Sequence, residues 1–507
     1  MRVGSITARG SVLAGRQYIG VRRCAASTSS RHHGARNATG RGVVVHSATT
    51  DQTTQEAEPV VVDDIPYVPL KASAEASVAI KAALQPWNAF PPGTCLCMQL
   101  GDDIPEKAST GGLPFGGQGR GVTLPGVVDN MRKAAMDPRI SGMYLKINPL
   151  TCGYGKLCEI RRQIAHFRKS GKFTVAYFEV GGMKEYLLAS ACEEIYTPPE
   201  AYVQLTGFVI ENTFLRGVLE KVGVEPQIER IGKYKSAGDQ LLRKDMSDAQ
   251  RTVSETLVQS IYDNFVKSIS EDRGMTVADV EAFLNSGPHK IEAFEEGGWI
   301  TGRKYADEIE ALLMPRTGGA GNVFRSIGYR KYRKTPAGLF SRGKNTVAVI
   351  RSAGAISRGG GATSDGITPQ AFIKSIRQVK KNKQVKAVIL RIDSPGGDAL
   401  ASDLMWHEIR ELARIKPVVA SMVDVAASGG YYMSMACDKI VAEPLTLTGS
   451  IGVISGKFNL EDLFEKVSKS HTFPSPFPSP FPSPSLSFHS IAFLHFTSLS
   501  FRTTQRH

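Results

Sequence analysis

The chain repeats itself. At a single offset of 245 positions, Gly121-Val-Thr falls on Gly366-Ile-Thr, and Tyr144-Leu-Lys-Ile-Asn148 falls on Ile389-Leu-Arg-Ile-Asp393. Tyr186, Ala191-Cys192 and Ile195 likewise fall on Tyr431, Ala436-Cys437 and Ile440. After a three-residue indel, Glu220-Lys221-Val222 returns to register with Glu465-Lys466-Val467. Core positions correspond as well. Ile160, Ile164 and Phe167 match Met405, Ile409 and Leu412, both i, i+4, i+7 stripes of an amphipathic helix. One offset held over about a hundred residues is not chance, so the two halves are copies.

Each copy alternates strand and helix. In the second, the pattern predicts strands at 346–352, 386–392 and 417–424, and helices at 369–380, 399–413 and 429–436. Strands separated by helices require crossovers, which places the chain in the α/β class with parallel sheets. Counterparts stop at Val467: where the first copy continues Gly223-Val-Glu-Pro, the second gives Ser468-Lys-Ser-His. The second repeat is therefore expected to be incomplete. The expected organisation is a leader and linker (1–66), a first repeat (94–313), a linker (314–344), a second repeat (345–467) and an aberrant low-complexity tail (468–507). In that tail Phe-Pro-Ser-Pro recurs three times from Phe473 to Pro484. Proline at every second position blocks helix and sheet interior alike.

Charge needs dividing before it is interpreted. The net +14 includes eight Arg and no acid in residues 1–50, and three bases with no acid after Ser468, which leaves +3 for the body. A near-neutral body gives no reason to expect nucleic acid. An acid-free, Arg- and Ser-rich start without a continuous apolar core reads as an organellar transit peptide. No apolar run reaches the ~18–20 residues of a membrane-spanning helix. Seven scattered cysteines fit a reducing compartment better than a disulfide framework.

The chemistry-bearing stretches lie in the second copy. Asp393-Ser394-Pro395-Gly396-Gly397-Asp398 follows an apolar strand, and Ala426-Ala427-Ser428-Gly429-Gly430 falls between a strand and a helix. A hydroxyl at such a junction is exposed at a helix N-terminus. The amides of Gly429 and of Gly396 or Gly397 are candidate oxyanion donors, where losing one donor costs ~3–4 kcal/mol. Taken alone, Ser428 is equally well a helix cap. The repeat argues otherwise, because the first copy has Met183-Lys184-Glu185 at the matching place and Leu150-Thr151-Cys152 opposite the glycine pair. One copy keeps a site and the other keeps the scaffold.

A serine nucleophile needs a base. No histidine lies between His407 and the tail, and an α/β-hydrolase elbow would require a downstream acid and histidine. Lysine remains. Together with Leu447-Thr448-Gly449-Ser450-Ile451-Gly452, these motifs resemble the signal peptide peptidase A (protease IV) family over about residues 94–467. The resemblance implies tandem Clp-protease/crotonase-like repeats, a Ser/Lys dyad and no cofactor. In long members the base comes from the first repeat within a Tyr-Lys-Ser-Ala motif, here Tyr234-Lys235-Ser236-Ala237. It thus implies Ser428 as nucleophile, Lys235 as base, Ser450 orienting the lysine, and Gly429 with Gly396 or Gly397 as oxyanion donors. Lys233 is the competing base. A free lysine is neutral about once in a thousand molecules near pH 7. Burial must lower its pKa by about 3, worth about 4 kcal/mol.

The expected function is a serine endopeptidase acting on peptides such as residual signal peptides. A homo-oligomeric ring follows from the same resemblance, and a chloroplast, thylakoid-associated location from the resemblance together with the transit segment. With no apolar run long enough to span, membrane association is expected to be peripheral. Two alternatives stand beside it: a catalytically silent decoy or binding subunit, and a crotonase-type acyl-CoA enzyme. The latter would need carboxylates where Ser428 stands.

Overall fold

The computed structural model describes residues 4–6, 43–47, 60–62, 67–69, 90–107, 121–318, 323–335, 345–359 and 366–468. Most of the basic leader and all of the tail from 469 lie outside the described residues. Strands β1 (Gly4–Ile6), β2 (Val43–Ser47) and β3 (Val60–Val62) come from the first 66 residues.

The first copy runs β4 (Thr94–Asp102), α1 (Leu124–Met136), β5 (Ile140–Leu150), α2 (Tyr154–Arg168), β6 (Phe173–Tyr177), α3 (Met183–Ala189), β7 (Glu194–Thr197). It continues with α4 (Arg216–Val222), β8 (Glu225–Ile231), α5 (Asp248–Arg273), β9 (Gly302–Arg303) and β10 (Ser326–Gly328). The second copy runs β11 (Thr346–Ala353), α6 (Pro369–Lys381), β12 (Val385–Ser394), α7 (Ala399–Ala413), β13 (Val418–Ala427), α8 (Gly429–Ser434), β14 (Lys439–Ala442), β15 (Leu447–Gly449), β16 (Val453–Asn459) and α9 (Glu461–Ser468). Both ends of α1 and α6, of α2 and α7, and of β7 and β14 differ by the offset of 245. The sequence repeat is a structural repeat.

The first sheet has the order β9-β7-β6-β5-β4-β10, parallel throughout. The second is β1-β11-β12-β13-β14-β2-β3, with β15 also on β13. Its interior pairs are parallel, while β1, β2 and β3 add antiparallel strands at the two edges. Valine triplets at 43–45 and 60–62 supply the β-branched side chains that favour strand, so these parts of the leader join the sheet rather than staying apart from it. Residues 323–335, within the stretch expected to be a linker, also belong to the first copy. There β10 pairs with β4, and Tyr329 and Tyr332 are buried.

Each sheet has its own core. In the second, Ile350, Val388, Leu390 and Ile392 meet Phe372, Ile376, Met405, Ile409 and Leu412 from α6 and α7. The start of α7 is fixed locally: the Asp398 carboxylate accepts the Ala401 amide at 2.8 Å, a side-chain cap. Among the contacts that join the copies, two are extensive. One is a seven-pair antiparallel ladder between β8 and β16, from Glu225↔Asn459 to Ile231↔Val453. The other is a buried ionic seam in which Glu106 faces Arg391 at 2.8 Å and Arg351 at 3.3 Å. Arg391 also pairs with Glu159, and Arg162 with Glu443.

Removing one member of a buried ion pair strands the other. Glu106→Ala is therefore expected to destabilise the chain by about 3 kcal/mol, read as a lowered urea midpoint. An unchanged midpoint would show that the seam does not hold the copies together.

Candidate active site

Ser428 ends the β13 strand and opens α8. Its backbone sits at φ 52°, ψ −115°, a conformation that a serine side chain disfavours by about 1–3 kcal/mol. Two hydrogen bonds hold it there. The Ser428 amide donates to the Gly449 carbonyl, and the Tyr432 amide to the Ser428 carbonyl, both at 2.8 Å. The turn lifts the hydroxyl off the end of the sheet beside the Gly396-Gly397 loop.

That loop is built to come close. Gly396 has φ 95°, and a Cβ there would lie 2.6 Å from the Gly429 nitrogen and 2.8 Å from the Ser428 Cβ. No larger residue fits. The Ile356 amide donates to the Gly396 carbonyl at 2.8 Å and the Asp398 amide to the Ile356 carbonyl at 3.0 Å, which clamps the loop against the chain that follows β11. The two glycines then separate in role. The Gly396 amide donates to Ser394 Oγ at 3.2 Å, whereas the Gly397 and Gly429 amides have no acceptor among the described residues. Of the sequence-level candidates, Gly397 and Gly429 are the two N–H groups available to an oxyanion.

Lys235 arrives from the other copy. It follows β8 by four residues and is only 6% exposed. Its Nζ lies 3.2 Å from Ser428 Oγ, 2.7 Å from the Ser450 carbonyl oxygen and 3.0 Å from Ser450 Oγ. A neutral amine has two N–H bonds and one lone pair. The two oxygens of Ser450 can take the former, leaving the lone pair for the Ser428 hydroxyl proton. Burial pushes the Lys235 pKa below the ordinary lysine value, the direction a base requires. Lys233, by contrast, is exposed, its ammonium over the Tyr234 ring.

Several positioning groups escape a reading of the sequence. Arg230 donates to the Lys235 carbonyl at 3.3 Å and pairs with buried Asp239, which also accepts Ser247 Oγ at 2.9 Å. Gly452 has φ 140°, and a Cβ there would lie 2.2 Å from the Ile231 carbonyl oxygen. The signal available was the indel. Aligning Leu205-Thr206-Gly207 with Leu447-Thr448-Gly449 leaves Ser450-Ile451-Gly452 unmatched, the segment that receives the amine.

The matching place in the first copy is filled. Met183 is buried, and the Glu185 carboxylate accepts the Leu150 amide at 2.6 Å and the Gly182 amide at 2.7 Å. A side-chain anion thus ties the start of α3 to the end of β5.

A profile of peptidase family S49 matches residues 166–297 and 410–473. A chloroplastic serine protease SPPA of Arabidopsis thaliana is 48% identical over 389 residues, covering 75% of this chain and 56% of its own length. This chain belongs to the S49 family. Among its relatives, Protease 4 of Haemophilus influenzae is 30% identical over 381 residues, 72% of this chain and 59% of its own. The S49 chain thus spans a little over half the length of these relatives, and its likeness to the Arabidopsis protein makes it a plastid-type SppA member. A solved chain of 1510-N, a membrane-bound stomatin-specific protease, aligns with 47% of this chain and 98% of its own at 11% identity. The TM-score of that alignment is 0.28.

Gly452→Ala is expected to displace the Lys235 segment and slow reaction of Ser428 with a fluorophosphonate by about 100-fold, with the far-ultraviolet circular dichroism unchanged. Labelling at the wild-type rate would show that the close approach of Gly452 to Ile231 does not set the position of the amine.

Proposed function

We propose that this chain is a serine endopeptidase in which Lys235 is the base and Ser428 the nucleophile. The observation that carries this reading is the 3.2 Å contact between a buried amine and a strained hydroxyl 193 residues apart. Lys235 takes the Ser428 proton as Oγ attacks a peptide carbonyl. The developing oxyanion is received by the Gly397 and Gly429 amides, and the protonated lysine returns its proton to the leaving amine. Water, activated by the same amine, then releases the acyl group. Ser450 orients the lysine throughout.

The substrate is an extended peptide held in a groove lined by both copies, with residual signal peptides at the thylakoid membrane as the physiological class. Association with that membrane is proposed to be peripheral. Among the described residues no helix is long and apolar enough to cross a membrane. The enzyme is further proposed to work as a homo-oligomer. Leu215, Val218, Ile231, Val453 and Phe464 are exposed around β8, β16 and their flanking helices, an apolar surface that a second copy would cover.

A fluorophosphonate probe tests the dyad. Wild-type labelling is expected to rise with pH as the Lys235 amine loses its proton, reaching a plateau below the ordinary lysine pKa, because the shift is downward. Ser428→Ala abolishes labelling. Lys235→Met slows it by about 10²–10⁴-fold, and Lys235→Arg does no better, because a guanidinium stays protonated. A folded wild-type chain that does not label would favour the silent binding subunit, and an active Lys235→Arg would remove the base assignment.

A further inference from the structure

Lys156 stands in the first turn of α2, in the silent copy, yet it faces the other one. Its Nζ lies 3.2 Å from Asp393, 3.3 Å from Asp424 and 3.2 Å from Asp103, and its side chain is only 6% exposed. Asp103 is largely exposed, whereas Asp393 and Asp424 are not. Asp424 precedes Ser428 by four residues on β13, and Asp393 precedes the Gly396-Gly397 turn on β12. Both acids therefore sit at the strand ends from which the reactive loops spring.

The contacts go beyond the amine. The Asp424 carboxylate accepts the amides of Gly153 at 2.8 Å and Lys156 at 2.7 Å, so an acid of copy two caps a helix of copy one. Asp393 Oδ1 accepts the Val425 amide at 3.3 Å. That bond ties β12 to β13 where their register shifts between Ile392 and Ser394. Burial pushes the Asp424 pKa up, against the pull of Lys156 and the two amides. Burial also opposes the charge on Lys156, but Asp393, Asp424 and Asp103 together hold its pKa above the ordinary value. Without the ammonium, two enclosed carboxylates at adjacent strand ends repel.

We propose that Lys156 is a positioning residue: it binds the ends of β12 and β13 together so that Ser428 and the Gly397 and Gly429 amides keep their relative places. The proposal rests on the reading of Ser428 as nucleophile. It gives the silent copy a second task besides delivering Lys235.

The test uses the full chain with Lys156→Met. Fluorophosphonate labelling of Ser428 is expected to slow by about 100-fold, while KM for a peptide substrate stays within about threefold. Hydrogen exchange without substrate should quicken by about tenfold across 394–398 and 425–430, and stay unchanged in α6. Wild-type labelling with wild-type exchange in the folded variant overturns the proposal. If Lys156→Met does not fold, the double variant Lys156→Met/Asp393→Asn keeps the net charge of the buried group and leaves Asp424 on its helix amides. Slow labelling of that folded double variant supports the proposal, and wild-type labelling overturns it. A wild-type chain that never labels, combined with local loosening in Lys156→Met, leaves the positioning role standing and sinks the peptidase reading instead.

Discussion

Everything at the site depends on the ladder between β8 and β16. Those strands come from different copies, and their seven paired residues end at Ile231 and Val453. Lys235 lies four residues beyond one end, and Ser450 three residues before the other. Backbone hydrogen bonds are short and directional, so the register of this one ladder fixes where the amine meets the segment that leads back to Ser428. Placing a charge-bearing side chain in a dry cleft is unfavourable, and a loop alone would not hold it there. A ladder, an Arg230–Asp239 clamp and the two oxygens of Ser450 do.

The duplication gives this arrangement its logic. Two copies of one α/β unit supply two similar strand ends, of which only one carries a serine. In the first copy, the Glu185 carboxylate accepts the Gly182 amide at the helix start and the Leu150 amide at the end of β5, and the unit is left as a platform. Its contributions to the second copy are electrostatic as well as geometric: the seam around Glu106 and Arg391, and the group around Lys156, join the two sheets through buried charge. Such pairs add little net stability compared with apolar packing, but they allow few alternative alignments. A cleft made of groups from both halves requires that kind of restriction.

Much of this was legible in the residues. The offset of 245 reappears in the ends of α1 and α6, α2 and α7, and β7 and β14, because local periodicity and capping set helix boundaries. Ser428 and the glycine loop are visible as motifs, whereas Lys235 and Ser450 enter through family resemblance rather than spacing. Other features were not legible, for physical reasons. Which of Gly396 and Gly397 has a free amide depends on a single 3.2 Å bond to Ser394. The joining of valine triplets from the leader to sheet edges, and of residues 323–335 to the first sheet, depends on which edges are open. Lys156 reads as an ordinary helix lysine until the other copy is packed against it.

The β8–β16 ladder is the working geometry of the site, and a cross-link addresses it directly. Gln227 and Lys457 are directly paired, and such pairs lie ~4.5–5.5 Å apart at Cα, within reach of a disulfide. The double variant Gln227→Cys/Lys457→Cys is expected to form an intrachain disulfide on oxidation and to keep its rate of Ser428 labelling. Failure to close within one chain, or loss of labelling once the bond has formed, would contradict the account.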